Sequence, residues 1–467
     1  MSRVIVIGGG LAGMAAAVSL EAAGAVVTLI EARRTLGGRA SSFEDPQGGD
    51  DLDNCQHVLL GCCTNLMDFY KRLGVSSLIK FERTVHFRDA TGTRHDLWGV
   101  DGWPAPINLG PSLAKFDALT WGERFSFSRA MLAMMKLGHA GRNALVDVPF
   151  GQWLDEHHQS PSLIKKFYDP ILISALNEES RRASARYAIQ VFQDAMLANA
   201  DGYLVGLPAC PLGQLYEKIP CRDVRLATRV SELRFTGQCA TGVTLQNGEL
   251  LDADAIVLAT NYHAVMRWVP ADLMAIDARF GSLDKLESVP ILGVHLWFDR
   301  PIMTESHAAL IDGPLQWLFR KDAEGRVLHG VISAAREWAN VPKEECLRQF
   351  EKQIRSLFPA ARDAKILRGV VVVEKRATFS PVPGSDDWRP FQGPPPNGIE
   401  NLFLAGDYTR TGWPATMEGA VRSGYLATEA IARSLDLKQS EFLVQDLPVQ
   451  WPAHLMGLKP ISNRMGL

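Results

Sequence analysis

The 467 residues of the chain are enough for two or three domains, each with its own hydrophobic core. Hydrophobic residues make up 46% and charged residues 22%, and the net charge is -3, which excludes the strongly basic surface of a nucleic-acid-binding protein. The seven cysteines are odd in number and form no C-x-x-C pair, which favours a reducing compartment and argues against a disulfide framework or any metal site of the zinc type.

The chain opens with a pattern for binding a nucleotide. An apolar, β-branched run over residues 4–7 predicts a buried strand, and Gly8, Gly10 and Gly13 follow it in the spacing G-x-G-x-x-G. The first glycine permits a tight turn, the second lets the backbone approach a pyrophosphate, and the third lets the next helix pack closely on the strand. Phosphates then lie at the helix N-terminus, where free N–H groups favour negative charge. The pattern predicts a site for the adenosine diphosphate half of a cofactor.

A second predicted strand, residues 26–30, ends at Glu31, which is placed to accept hydrogen bonds from a ribose. A signal peptide or a membrane span is the competing interpretation of the apolar run after Arg3. The spaced glycines and Glu21 weaken both of these alternatives. Because the first strand starts at residue 3, we expect no leader and a cytoplasmic protein.

The next signal is the segment Gly37-Gly38-Arg39-Ala40-Ser41-Ser42. Its glycines suggest a second approach of the backbone to the phosphates, with the Arg39 guanidinium neutralising their charge. An ordinary glycine turn with a solvated arginine is the alternative. The segment resembles the G-G-R-x-x-S motif of the large FAD family that contains amine oxidases, protoporphyrinogen oxidases and phytoene desaturases. This resemblance implies that the cofactor is FAD and that Gly38 and Arg39 help to bind it.

Residues 83–97 alternate around a turn and predict a β-hairpin, after which the pattern becomes helical from 112 to about 199. The segment 125–137 is apolar nearly all round and has basic residues close by. Such a segment is either a buried core helix or a helix that dips into a bilayer surface. The sequence favours the core and leaves peripheral membrane contact open.

The middle of the chain returns to strands. Asn247-Gly248 is a hairpin signal, and residues 254–261 predict a central strand that lies beside the cofactor. Strong strand patterns over 291–299 and 370–374, with an amphipathic helix over 343–358, predict a second sheet.

The last predicted cofactor element is a strand that ends in Gly406 and Asp407, followed by a helix that begins at Met417. A helix N-terminus at this point again favours an anionic group. The element is similar to the C-terminal FAD segment of the same family. The resemblance implies that Asp407 binds the ribityl-phosphate side, that the helix start at Met417 and Glu418 faces the flavin ring, and that Val230 meets the adenine through its backbone.

The predicted fold class is α/β, with a Rossmann-type, glutathione-reductase-like FAD-binding domain and an interleaved α+β substrate domain. The FAD-binding domain is expected to be discontinuous. The predicted ranges are 1–75, 210–285 and 395–435 for the FAD-binding domain, 76–209 and 286–394 for the substrate domain with its helical region, and 436–467 for a C-terminal tail.

Several longer phrases narrow the resemblance to the squalene-associated branch of the family, the hydroxysqualene dehydroxylases. Cys55 departs from the branch pattern, in which we expect a glycine. The phrases are DNCQHVLLGCCTNLMDFYKRLG (53–74), DPILISALNEESRRASARYAIQVF (169–192), HLWFDRP (295–301), QWLF (316–319) and EKRATFSPVPG (374–384).

The resemblance implies a reductive reaction, in which reduced FAD delivers hydride to the allylic carbon of hydroxysqualene as the hydroxyl leaves. Loss of the hydroxyl needs a proton donor. His57, or a group near it, is the candidate, and a structural role for His57 is equally open. His295 lies in an apolar strand and is expected to be core. No second glycine fingerprint is present, so the electrons are expected from an external donor.

A long isoprenoid substrate needs an extended apolar tunnel, but aromatic residues are more often core than cavity, so none is assigned. The candidates are Phe125, Phe127, Trp297, Phe298, Trp317 and Phe319.

Two rival functions remain open. One is a carotenoid-type desaturase or amine oxidase that dehydrogenates its substrate, and the other is a prenyl-binding escort protein without redox chemistry.

Overall fold

The computed structural model describes residues 1–45, 51–439 and 441–459. These residues form twenty strands and thirteen α-helices. The strands are β1 (Arg3–Ile7), β2 (Val26–Ile30), β3 (Ser42–Phe43), β4 (Leu52–Asp53), β5 (Leu59–Leu60), β6 (Ile79–Glu82), β7 (Thr84–Arg88), β8 (Arg94–Trp98), β9 (Val205–Pro208), β10 (Asp223–Arg225), β11 (Val230–Thr236), β12 (Cys239–Leu245), β13 (Leu250–Asp252), β14 (Ala255–Leu258), β15 (Ser288–Phe298), β16 (His307–Leu310), β17 (Trp317–Arg320), β18 (Val327–Ile332), β19 (Ile366–Phe379) and β20 (Leu402–Leu404). The helices are α1 (Leu11–Ala22), α2 (Thr64–Arg72), α3 (Gly110–Lys115), α4 (Trp121–Asn143), α5 (Phe150–Glu156), α6 (Pro161–Leu163), α7 (Asp169–Leu176), α8 (Ala185–Phe192), α9 (Tyr262–Trp268), α10 (Ala271–Ile276), α11 (Lys343–Leu357), α12 (Met417–Ser434) and α13 (Trp451–Leu455).

A parallel five-stranded sheet in the order β10-β2-β1-β14-β20 joins β1, near the N-terminus, to β20, the last strand. β1 lies at its centre and pairs in parallel with β2 and β14. α1 and α12 pack against each other so closely that a Cβ on Gly424 would lie 2.4 Å from the Ala12 carbonyl oxygen. The Rossmann-type sheet and the return of residues 255–258 beside the first strand are thus confirmed.

A small antiparallel sheet, β11-β12-β13, accompanies the parallel one. Its hairpin turns at Asn247, whose side chain accepts a hydrogen bond from the Glu249 N–H at 3.0 Å. The predicted hairpin at Asn247-Gly248 is confirmed. The boundaries of the two predicted domains stay a prediction, and residues 460–467 of the predicted tail lie outside the described part of the chain.

The second large sheet has seven strands in the order β19-β15-β18-β17-β16-β7-β8. Leu292, Val294 and Leu296 of β15 point to one face, where α11 covers them with a core of apolar side chains. The alternate residues of β15 point to the opposite face, because successive side chains of a strand alternate. That opposite face meets the segment after the N-terminal nucleotide-binding loops, since His295 is hydrogen-bonded to the Asp53 carbonyl.

Within the helical region α3 to α8, α4 has both buried and exposed apolar side chains. Phe127 and Met134 are buried in the core, as predicted, but Trp121 is 72% exposed and Phe125 is 68% exposed. One face of the helix is therefore core and the other is open. In the described part of the chain we find no helix with the length and apolar character needed to cross a bilayer.

Candidate active site

The loop between β1 and α1 places glycines where other residues would collide. Gly8 has a φ of +112°, and a Cβ on Gly13 would lie 1.8 Å from the Gly8 carbonyl oxygen. Gly10 caps α1, and within the described residues this N-cap makes no side-chain hydrogen bond to the helix. The N–H groups at the start of α1 are therefore available to an anionic ligand.

The second glycine turn lies directly on the first. The Gly37 N–H donates to the Gly9 carbonyl at 2.8 Å. A Cβ on Gly38 would meet the Cα of Gly10 at 3.1 Å, and Gly38 has a φ of +62°. Backbone contact of this kind is what two loops that hold one pyrophosphate require.

Glu31 lies at the end of β2, beside the glycine loop. Its Oε2 accepts a hydrogen bond from the Gly9 N–H at 2.7 Å. The Thr228 N–H donates to the Glu31 carbonyl at 2.9 Å, and Val230 begins β11 two residues later. The fold therefore brings Glu31 and Val230 to the same end of the parallel sheet, where the ribose and adenine of a dinucleotide bind.

Arg39 joins the N-terminal and C-terminal cofactor segments. Its Nη2 lies 2.6 Å from Oδ1 of Asp407, and its Nη1 donates to the Ala377 carbonyl. Burial disfavours the charge of Arg39, but the adjacent Asp407 carboxylate outweighs burial, so the pKa of Arg39 is raised. The Gly406 N–H, next to Asp407, donates to Ser423 Oγ at 2.8 Å and ties this turn to α12.

At the start of α12, one acidic side chain is used for packing between helices. The Glu418 side chain is fully buried and turns towards α2, where it accepts a hydrogen bond from the Leu66 N–H at 2.7 Å. It also accepts one from Arg422 Nε at 2.8 Å. The Glu418 carboxylate is thus used in packing α12 against α2. The backbone N–H groups of Met417 and Glu418 remain the part of this helix start that we expect to face the cofactor.

Three histidines meet where the seven-stranded sheet faces residues 53–58. His295 on β15 and His329 on β18 occupy directly opposed positions, and their ring centroids are 3.9 Å apart. His295 Nε2 donates to the Asp53 carbonyl at 3.0 Å. His57 Nδ1 donates to the Cys55 carbonyl at 2.9 Å. The prediction that His295 is buried is confirmed.

A lysine and an aspartate hold this cluster together. Lys321 Nζ lies 2.9 Å from Asp53 Oδ2 and 3.1 Å from Gln56 Oε1. Burial lowers the pKa of His57, and it lowers the pKa of His295 to about 4. Both rings are therefore neutral at neutral pH, while Lys321 supplies the positive charge nearby.

The side chains next to the histidines on this face of the sheet are apolar. Trp317 and Phe319 on β17 stack with centroids 5.9 Å apart, and Phe319 packs with Cys55 and Val331. Two other tunnel candidates lie elsewhere, since Phe298 is in the core beneath α11 and Phe125 is on the surface. The sheet thus presents polar imidazoles in an otherwise apolar surface.

Residues 11–432 match the family described as flavin containing amine oxidoreductase. The chain belongs to this family. FAD is its cofactor, and the uncapped start of α1 with its two glycine turns fits the pyrophosphate of FAD. The protein is accordingly an FAD-dependent oxidoreductase of the flavin amine oxidase fold.

Two curated relatives have the same sequence identity to this chain but are named as different enzymes. The chain is 27% identical to a 15-cis-phytoene desaturase of Synechococcus elongatus, in an alignment that covers 93% of this chain and 96% of that protein. It is also 27% identical to a hydroxysqualene dehydroxylase of Zymomonas mobilis, over 92% of this chain and 99% of that protein.

Solved structures of flavin amine oxidases share the fold. A putrescine oxidase variant has a TM-score of 0.69 at 18% identity and covers 92% of this chain and 99% of its own. The cyclohexylamine oxidase of Brevibacterium oxydans has a TM-score of 0.64 at 20% identity, with coverage of 93% and 99%. At these identities the likeness concerns the fold alone.

Sequence reasoning missed His329 and Lys321. Neither residue belongs to a motif, and Asp53 lies 268 positions from Lys321. Only the pairing of β15 with β18 sets His329 opposite His295. The sequence offered one signal for His329, which is a histidine on the otherwise apolar face of an alternating strand. A buried histidine with a purely structural role gives the same pattern, so the signal does not identify a functional residue.

Proposed function

We propose that this flavoprotein removes the hydroxyl group of hydroxysqualene reductively and releases squalene. The supporting relative is the Zymomonas dehydroxylase, which aligns over 99% of its length. The phytoene desaturases are as similar in identity, so the proposal depends on the site. The observation that carries it is the cluster of His57, His295 and His329 beside apolar side chains, because His329 has no hydrogen-bond partner within the described residues and a purely hydrocarbon substrate would offer it none.

The proposed reaction breaks one C–O bond and forms one C–H bond. Reduced FAD supplies the hydride for the allylic carbon, and the hydroxyl takes up one proton and leaves as water. The two electrons come from an external donor, either a reduced nicotinamide or an electron-transfer protein, because the chain shows a single dinucleotide fingerprint. The sum is reduced FAD plus allylic alcohol giving FAD, the alkene and water.

We assign the proton donor to His57, which follows the FAD-binding segment directly. Its Nδ1 donates to the Cys55 carbonyl, so Nε2 of the neutral ring is the nitrogen that would take up a proton and pass it to the leaving hydroxyl. Trp317 and Phe319 offer aromatic faces to the developing allylic cation. Asp53 and Lys321 hold the backbone of this segment against the sheet.

The direct test is an anaerobic incubation of the reduced enzyme with hydroxysqualene, followed by chemical analysis of the product. Formation of squalene together with stoichiometric reoxidation of the flavin is expected. The oxidised enzyme incubated with phytoene is the companion experiment, because dehydrogenation of a hydrocarbon is the second candidate function and the desaturase relatives favour it. Desaturated product without any squalene would refute the dehydroxylase assignment.

We also propose peripheral contact of the protein with the cytoplasmic face of a membrane through α4, since its substrate dissolves in lipid. Trp121, Phe125 and Leu132 are exposed along one stripe of the helix. Arg129 and Lys136 are exposed on the same stripe. An apolar and aromatic stripe with interspersed cations suits an anionic bilayer surface.

A further inference from the structure

One imidazole of the cluster lacks a hydrogen-bond partner. His329 is fully buried, and within residues 1–45, 51–439 and 441–459 neither of its ring nitrogens is hydrogen-bonded. Buried polar groups in folded proteins are nearly always paired. The orphaned ring therefore points to a partner that the described chain does not supply.

The sheet leaves room for this ring. A Cβ on Gly293, in β15, would lie 2.8 Å from His329 Nε2 and 3.8 Å from the Asn54 carbonyl oxygen. The imidazole thus lies over the Cα of Gly293, on the side of β15 that faces the backbone of residue 54. Any larger residue at position 293 would intrude on that space.

The neighbours of His329 are either apolar or already paired. Phe319 lies opposite it on β17, and His295 lies opposite it on β15. His295 and Lys321 are both bound to Asp53, the lysine through the side chain and the histidine through the carbonyl. Burial, together with the charge of Lys321 and the neighbouring histidines, lowers the pKa of His329. A neutral imidazole has one N–H donor and one acceptor, which matches a hydroxyl group.

The ring also lies close to the FAD-binding segment. The Asn54 N–H donates to the Ser41 carbonyl at 2.9 Å, and Asn54 Nδ2 donates to the Arg39 carbonyl at 3.3 Å. Residue 54 therefore separates the cofactor segment from His329 by a single layer of backbone. A ligand that reaches His329 lies near the cofactor.

We propose that His329 binds the hydroxyl oxygen of the substrate and so distinguishes the alcohol from the hydrocarbon. The inference rests on the proposed function, because it takes hydroxysqualene as the ligand and names the residue that selects it. Squalene lacks the oxygen, so it leaves the imidazole unpaired and binds more weakly. The same contact thus favours binding of the substrate and release of the product.

The test measures binding rather than turnover. Hydroxysqualene and squalene are titrated separately into the oxidised, FAD-loaded protein, and the change in the flavin absorbance spectrum gives each dissociation constant. We expect the wild-type protein to prefer the alcohol by about tenfold or more. His329→Phe should lose this preference through weaker binding of the alcohol alone. His329→Gln should recover part of it, because an amide again offers a donor and an acceptor.

Gly293→Ala gives a second variant that keeps the imidazole but displaces it, because the added Cβ would lie 2.8 Å from His329 Nε2. It should lower the preference as well. His307→Phe is the matched control, because His307 is also fully buried, lies two strands away on β16 of the same sheet and has an unpaired Nε2 within the described residues. This control should keep the preference for the alcohol.

Three results overturn the inference: an unchanged preference in His329→Phe, equal weakening of both ligands, or a loss of preference in His307→Phe alone. Product analysis of the wild-type enzyme tests the proposed function independently of these binding measurements. Squalene production by a wild-type enzyme whose His329→Phe variant still prefers the alcohol refutes this inference alone. Loss of preference in His329→Phe without squalene production by the wild type refutes the dehydroxylase assignment alone.

Discussion

Arg39 and Asp407 lie 368 positions apart in the chain, and their side chains form an ion pair with an N–O distance of 2.6 Å. The pair joins the glycine turn after β2 to the turn after β20. The Asp407 side chain is only 9% exposed, so removal of Arg39 would leave a buried carboxylate without its ion-pair partner. Both cofactor segments are thereby held as one unit.

Arg39→Gln should weaken FAD binding by about tenfold or more, because the variant loses a guanidinium beside the phosphates and leaves Asp407 with an unpaired buried charge. Fluorescence titration of the apoprotein with FAD measures this effect. Arg300→Gln is the control, since Arg300 pairs with Asp299 at the surface. Equal FAD affinity in the Arg39 variant and the wild type would contradict the assignment of Arg39.

His57→Gln should slow the reoxidation of reduced flavin by hydroxysqualene by about a hundredfold, which is the usual contribution of a positioned general acid. The glutamine amide keeps a donor for the Cys55 carbonyl, so the loop should be retained. Anaerobic stopped-flow absorbance measures the rate, and His157→Gln on α5 serves as the control. An unchanged rate would remove His57 as the proton donor.

The stability of the protein should fall as the pH drops from about 7 to about 5. Burial lowers the pKa of His295 to about 4 in the folded state, whereas an unfolded histidine titrates near 6.5. Below pH 6.5 the unfolded state therefore binds more protons, and this site alone should lower the free energy of unfolding by about 2 kcal/mol over that range.

Urea unfolding of the wild type and of His295→Gln at the two pH values tests this expectation. The glutamine variant cannot be protonated, so its stability should depend less on pH by about the same 2 kcal/mol. Asp53, Lys321, His57 and His329 remain in both proteins, so the comparison isolates the contribution of His295. Parallel pH profiles would show that His295 is not the group responsible.

The double variant Trp121→Ala, Phe125→Ala should bind anionic vesicles several-fold more weakly than the wild type, because it removes two exposed aromatic side chains from the lipid-facing stripe. Co-sedimentation with vesicles of anionic phospholipid measures the effect. Leu250→Ala, Leu367→Ala is the matched control, since both leucines are exposed on strands outside α4. If the two double variants bind equally well, α4 is not the contact surface.

Local patterns were sufficient for the cofactor segments and for much of the fold. The turn at Gly8, the uncapped start of α1 at Gly10 and the hairpin at Asn247 depend on backbone conformations that a few neighbouring residues set. Strand alternation likewise predicted the second sheet and the burial of His295.

The contacts that define the candidate site were decided by tertiary packing. Phe125 is exposed although the sequence favoured the core for its segment, and the buried Glu418 side chain packs α12 against α2. Strand order set His329 opposite His295 and beside Lys321. Local sequence determines which backbone shapes are accessible, but the partner of a side chain depends on segments hundreds of residues away, because burial and hydrogen bonding are satisfied over the whole fold rather than along the chain.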